Sequence, residues 1–226
     1  MAQDINLPLI ILRRQAEADG CQSIFFERPR NFYYAAGQWL DLRFADEAPR
    51  GAKTFSFASS PTEPELMISF RDGVSTFKRR LQTTAPGDRL MLTQYGGGFR
   101  LNPRRPALLL AGGIGLAVFR GMIKEAIDTR VNTSLHLVCL NGQDDFIYRA
   151  ELEAWGRAFP ALTVRYWATK TQGRLNAKQL AILAPDLLEQ DVFIAGPPAM
   201  VSRTVELAHA LGVLPRQIQT DVFDGY

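Results

Sequence analysis

Cysteine and histidine are scarce: Cys21, Cys139, His136 and His209 are the only ones in 226 residues. An iron–sulfur cluster or a structural zinc needs about four clustered ligands, and these four are scattered. The chain is therefore expected to hold no metal of its own, and two cysteines suit a reducing cytoplasm. Charge of one sign is lacking as well. The 26 Lys and Arg against 23 Asp and Glu leave a net charge of +3 with no basic stripe, which argues against nucleic acid as a partner. Long hydrophobic runs are missing too. The longest, 107–119, is broken by three glycines and is shorter than the ~18 residues of a membrane span. Near the N-terminus, Asp4 comes early and Arg13-Arg14 follow an apolar stretch, the wrong order for a signal peptide.

What is present reads as globular. Hydrophobic residues make up 46% and charged residues 22%, near the averages of ~45–50% and ~25%. The length suits one large domain or two small ones.

The pattern changes near residue 102. Before it, short runs rich in aromatic and β-branched residues at 9–13, 23–27, 39–44, 53–58, 66–71 and 89–92 are separated by turn signals. One helical patch at 75–82 interrupts them. This spacing predicts an antiparallel β-barrel or sandwich over 1–102. Over 103–226, strands at 107–111, 134–140, 162–168, 191–195 and 217–220 alternate with helices at 116–128, 148–158, 176–183 and 198–211. Apolar strands alternating with amphipathic helices predict an α/β unit with a parallel sheet. The stretch 102–106 is the expected linker.

Three signals carry chemistry. Ala111-Gly112-Gly113-Ile114-Gly115-Leu116 follows a strand and opens a helix, where free N–H groups and the helix dipole favour a pyrophosphate. The alternative is a tight packing turn, and Val118 breaks the dinucleotide fingerprint. Ile194-Ala195-Gly196-Pro197-Pro198 ends another strand, at the sheet edge where open parallel sheets bind ligands; a proline-capped helix start is the plainer reading. Lys53-Thr54-Phe55-Ser56 sets a hydroxyl beside an aromatic, and Gly73-Val74-Ser75-Thr76 offers N–H groups and hydroxyls to a phosphate, or an ordinary N-cap.

In their order, from Gly37-Gln38 through 53–61, 73–76, 96–99, 111–119 and 195–200 to 221–223, these motifs resemble the ferredoxin–NADP⁺ reductase superfamily in its stand-alone two-domain form. The resemblance implies an N-terminal FAD barrel, a C-terminal NAD(P)-binding domain, and hydride transfer from NADH or NADPH to FAD. Ser56 would donate a hydrogen bond to flavin N5, with Phe55 packing on the ring. Lys53 stands for the family arginine at the FAD pyrophosphate, and Asp221 for its terminal glutamate beside the nicotinamide. Thr54, Ser69, Phe70, Arg71 and the stretch Gly73, Val74, Ser75, Thr76 are the other expected FAD contacts. Gly113, Ile114, Gly115 and Leu116 would hold the NAD(P)H pyrophosphate, and Gly196 and Pro197 its nicotinamide. Asp144 is expected at the adenosine ribose, favouring NADH, and Phe223 or Tyr226 would close the nicotinamide side of the flavin. FAD is expected over FMN. Electrons would pass to a separate ferredoxin, haem or iron–sulfur protein, or to a small-molecule acceptor. The chain itself is expected to be a monomer. A non-catalytic flavin-binding module and an electron-transfer subunit of an oxygenase complex are the alternatives.

Overall fold

The computed structural model describes residues 2–18, 20–48 and 51–223. The first half holds β1 (Gln3–Ala16), β2 (Cys21–Glu27), β3 (Trp39–Phe44), β4 (Lys53–Ser56), β5 (Glu65–Arg71), α1 (Thr76–Thr83) and β6 (Arg89–Gly96). These strands form one antiparallel sheet in the order β4-β3-β6-β1-β2-β5. The two outermost strands, β4 and β5, lie against each other, so the sheet is a nearly closed barrel. The period of two along β5 sorts its side chains. Leu66, Ile68 and Phe70 fill the barrel, while Met67 joins a core shared with the second half.

The second half holds β7 (Ala107–Gly112), α2 (Leu116–Asp128), β8 (Leu135–Asn141), α3 (Arg149–Ala158), β9 (Leu162–Ala168), α4 (Thr169–Gln172), α5 (Ala177–Leu183), β10 (Asp191–Gly196), α6 (Pro198–Ala210) and β11 (Ile218–Val222). All five strands run parallel, in the order β11-β10-β7-β8-β9. Both faces of the sheet are covered. On β7, Ala107, Leu109 and Ala111 enter the core on the barrel side, and Leu108 and Leu110 the core on the far side. The strand order reverses between β7 and β10, which opens a crevice at their carboxyl ends.

The two halves meet through α2. Arg120, only 6% exposed, forks to Glu63 at 2.6 and 2.9 Å and to Glu151 at 2.7 and 2.9 Å, and also donates to the Ala58 carbonyl at 3.1 Å. Glu63 belongs to the barrel and Glu151 to α3, so one buried guanidinium joins three segments.

Several boundaries differ from the sequence expectation. β1 starts at Gln3, not at residue 9, because its early residues pair with β6 through Tyr95 and Gln94 although their side chains are polar. β4 stops at Ser56, not 58. There the chain crosses towards β5, the Ala58 N–H donating to the Met67 carbonyl at 2.8 Å. Ser75 and Asn176 cap helices instead of starting them, and Tyr148 is left-handed at φ 56° rather than the first helical residue.

Candidate functional site

A cleft of about 490 Å³ separates the barrel from the carboxyl ends of β7 and β10, within the ~300–1,000 Å³ usual for small-molecule sites. Thr54, Phe55 and Ser56 of β4 with Ser69, Phe70 and Arg71 of β5 form one wall; Gly113, Ile114, Pro197 and Met200 form the other. The glycine-rich turn after β7 is tight because it lies on the next strand. A Cβ on Gly115 would sit 2.4 Å from the Ala195 carbonyl oxygen, so only glycine keeps the two strand ends together.

At the floor the halves touch. The Ser56 hydroxyl donates to Asp221 Oδ2 at 3.3 Å. Asp221 pairs with Ala195 in the β10–β11 ladder, and the Phe223 N–H donates to the Gly196 carbonyl at 2.9 Å. These bonds hold the end of β11 over the cleft. Burial pushes the Asp221 carboxyl above its ordinary range, with the Ser56 bond opposing it.

At the barrel end of the same cleft stand two cations, Arg71 and Lys78. The Lys78 stem passes over Gly73, where a Cβ would lie 2.6 Å from Lys78 Cδ. Burial lowers the Lys78 ammonium first, and the Arg71 charge lowers it further. A phosphate group placed there would relieve both effects, because it supplies the countercharge a desolvated ammonium needs. A dinucleotide carrying a flat ring and a pyrophosphate fits these residues: hydroxyls and aromatics line the floor, and cations line one end.

Residues 109–206 match the family model described as the oxidoreductase NAD-binding domain. The chain is 28% identical over 210 residues to the ferredoxin reductase component of a 3-ketosteroid-9-alpha-monooxygenase from Mycobacterium tuberculosis, covering 86% of this chain and 56% of that protein. It is 29% identical over 232 residues to ferredoxin–NADP reductase B of Sorangium cellulosum, covering 90% of this chain and 91% of that protein. The structure superposes on the ferredoxin–NADP⁺ reductase of Plasmodium falciparum with a TM-score of 0.79 at 13% identity, over 96% of each chain. The chain has the ferredoxin–NADP⁺ reductase fold. It spans little more than half the length of the mycobacterial relative.

Within this reductase fold, the cleft gathers Thr54, Phe55, Ser56, Ser69, Phe70, Arg71, Gly113, Ile114, Pro197, Asp221 and Phe223 from the residues singled out in the sequence. Others lie outside its lining. Lys53 starts β4 opposite Leu42, and Leu116 is buried in the shared core. Gly115 and Gly196 shape the strand ends. Ser75 spends its hydroxyl on the α1 cap, accepting the Lys78 N–H at 3.3 Å, with Thr76 as the first helical residue and Val74 85% exposed. Asp144 sits on the surface, paired with Arg149 at 2.9 Å. Tyr226 lies outside the described residues. Phe55 is mostly buried, its ring 6.1 Å from that of Phe77.

Sequence reading missed Trp39, Lys78 and Thr169, which also line the cleft. Trp39 was legible as part of a strand, but its position opposite Ser56 comes from strand register. Lys78 lies in the first turn of α1, just beyond the stretch Gly73–Thr76.

Proposed function

We propose that the protein is an FAD-dependent NAD(P)H oxidoreductase that passes electrons to a separate redox partner. The observation that carries this reading is the contact between Ser56 of the barrel and Asp221 of the parallel sheet. It sits in one cleft that has the Arg71–Lys78 pair at one end and two glycine-rich strand ends opposite. FAD is the redox group: when bound, it takes up a hydride and gives electrons back singly.

The chain's part is positioning and proton control. Arg71 and Lys78 would hold the FAD phosphates, since both line the cleft while Lys53 does not. The turn Gly113–Gly115 and the start of α2 point N–H groups at the NAD(P)H pyrophosphate, and Pro197 with Phe223 borders the nicotinamide. Ser56 has one hydrogen, now given to Asp221. Burial raises the Asp221 carboxyl above its ordinary range; whenever it carries a proton it would return that hydrogen bond and free the serine hydrogen for the flavin. The cleft between the two halves would hold donor and acceptor together and away from water, and positioning of this kind supplies much of the rate.

The coenzyme favoured is NADH. Arg149 pairs through Nη1 with Asp144 at 2.9 Å and through Nε with Glu153 at 3.1 Å, and these two carboxylates compete with a ribose 2′-phosphate for it. Asp144 and Asp145 add negative charge to the same loop. The electron acceptor is a ferredoxin, a haem or iron–sulfur protein, or an oxygenase component of such a system. The mycobacterial relative is itself named as a reductase component of a monooxygenase.

The test is anaerobic. Purified protein loaded with FAD should bleach on addition of NADH, with a kcat/KM for NADH at least about 10-fold above that for NADPH, the size expected of one like-charge contact. Yellow protein that never bleaches would overturn the enzymatic reading, and an NADPH preference would overturn the role of the 141–146 loop.

A further inference from the structure

A second cavity, of about 620 Å³, lies on the rear of the junction between barrel and α3, lined among others by Glu17, Arg120 and Tyr148. Water reaches it: the Arg13 side chain on its rim is 46% exposed. Between this cavity and the front cleft runs an unbroken line of hydroxyls. Ser69, which lines the cleft, stands opposite Ser23 in the β2–β5 register, with their oxygens 2.7 Å apart. Ser23 is fully buried and donates to Glu17 Oε1 at 2.8 Å.

The direction of the hydrogens follows from the ends of this line. The Tyr148 hydroxyl donates to Ser69, and Ser23 gives its only hydrogen to Glu17. Ser69 therefore gives its hydrogen to Ser23, and every donor in the line points towards Glu17. Ser69 keeps one lone pair to accept a further proton. Glu17 is held in place by Gln15 Nε2 at 3.1 Å and by the Tyr148 backbone N–H.

This arrangement has a use under the reading of the protein as a reductase, on which the inference rests. One NADH and two one-electron acceptors yield NAD⁺, two reduced acceptors and one proton, and that proton is set free in the cleft. We propose that Ser69, Ser23 and Glu17 conduct this proton from the cleft to the rear cavity. A proton arriving at Ser69 Oγ displaces the Ser69 hydrogen to Ser23 and the Ser23 hydrogen to the Glu17 carboxylate. The neutral Glu17 then loses a proton to water in the rear cavity, and rotation of the two hydroxyls resets the line. The groups facing Glu17 tune this last acceptor: Arg120 of α2 favours its charged form, and Glu151 of α3 disfavours it. Burial, the largest effect, outweighs them and holds its carboxyl above the ordinary range, so it takes up a proton more readily than a solvated glutamate. Arg13, Glu63, Glu65 and Arg149 complete the charged lining of that cavity.

Ser23→Ala cuts the line in the middle and leaves the Tyr148–Ser69 bond intact, while Glu17→Gln keeps the shape of the acceptor but cannot take a proton. In the FAD-loaded protein, reduction by NADH should be unchanged in both variants, since a hydride needs no proton path. Reoxidation by a one-electron acceptor such as ferricyanide, with proton release followed by a pH indicator, should slow by about 10²-fold, the low end of what positioned proton transfer contributes. The wild-type solvent isotope effect on that phase should change, and a redox-linked infrared signal of the Glu17 carboxyl should vanish in Glu17→Gln. A hydrogen-bond line with only a structural role would lower the melting temperature and move none of these readouts. Wild-type proton release and isotope effect in either folded variant would overturn the proposal. Failure of NADH and NADPH to bleach the wild type would instead remove the reductase reading, and the relay with it.

Discussion

Gly121 offers a test in which two known effects have opposite signs. It lies inside α2, where replacing glycine with alanine ordinarily stabilises a helix by about 1 kcal/mol. Here the added methyl meets the barrel. Its Cβ would sit 2.7 Å from the Ser59 carbonyl oxygen, 3.1 Å from the Ser59 carbonyl carbon and 3.2 Å from the Phe57 carbonyl oxygen. All three are backbone atoms, and their segment is tied to β5 by the bond from the Ala58 N–H to the Met67 carbonyl at 2.8 Å. They cannot swing aside. Ordinary contact begins near 3.4 Å, so α2 must retreat by several tenths of an ångström while Arg120, its neighbour, still holds Glu63. Overpacking of this kind costs ~1–3 kcal/mol, more than the helix gains. Gly121→Ala should therefore lose about 1 kcal/mol, or ~2–4 °C in Tm for a protein of this size. Gly156 in α3 is the control. Its Cβ would lie 3.7 Å from the Leu162 carbonyl oxygen, so Gly156→Ala should raise Tm through propensity alone. Thermal unfolding of both variants by circular dichroism decides it. If both substitutions raise Tm, α2 does not press on the barrel as described.

Arg120→Met should cost about 2–3 kcal/mol, because it leaves the partly exposed Glu63 and Glu151 without their shared countercharge; urea titration showing less than 1 kcal/mol would deny this residue its joining role. Lys78→Gln should weaken FAD retention about 10- to 100-fold, the loss of one charge-assisted bond, with Tm of the FAD-free protein unchanged; flavin fluorescence titration reads it, and equal affinities would place the phosphates elsewhere. Asp221→Asn should raise Tm at neutral pH. The folded carboxyl binds its proton more tightly than the unfolded one, so its contribution favours folding at low pH and is lost as pH rises through the raised value. The advantage of the variant should shrink on acidification below the ordinary carboxylate range, and a gain independent of pH would show that Asp221 is not held above that range. Ser56→Ala should keep FAD bound yet slow flavin reduction about 10²- to 10³-fold, measured by stopped flow; an unchanged rate would remove Ser56 from the chemistry.

Local sequence by itself determined most of the elements. The runs at 39–44, 116–128 and 162–168 coincide with β3, α2 and β9, because alternation and helical periodicity are properties of neighbouring residues. The order of the glycine- and serine-bearing motifs was enough to resemble a two-domain flavin reductase, since each motif is a short stretch with its own backbone demands. What the sequence alone left open is where distant stretches meet. That Ser56 reaches Asp221, that Lys78 leans over Gly73 beside Arg71, and that Arg120 is shared by Glu63 and Glu151 depend on how the barrel docks on α2. Ser75 and Asp144 also have partners that local pattern did not give: the one caps α1 and the other pairs with Arg149. The line from Ser69 to Glu17 is the furthest from sequence reading. Ser69 on β5, Ser23 on β2 and Glu17 just past β1, with Tyr148 just before α3 donating to Ser69, are brought within hydrogen-bond reach only by strand register and domain packing.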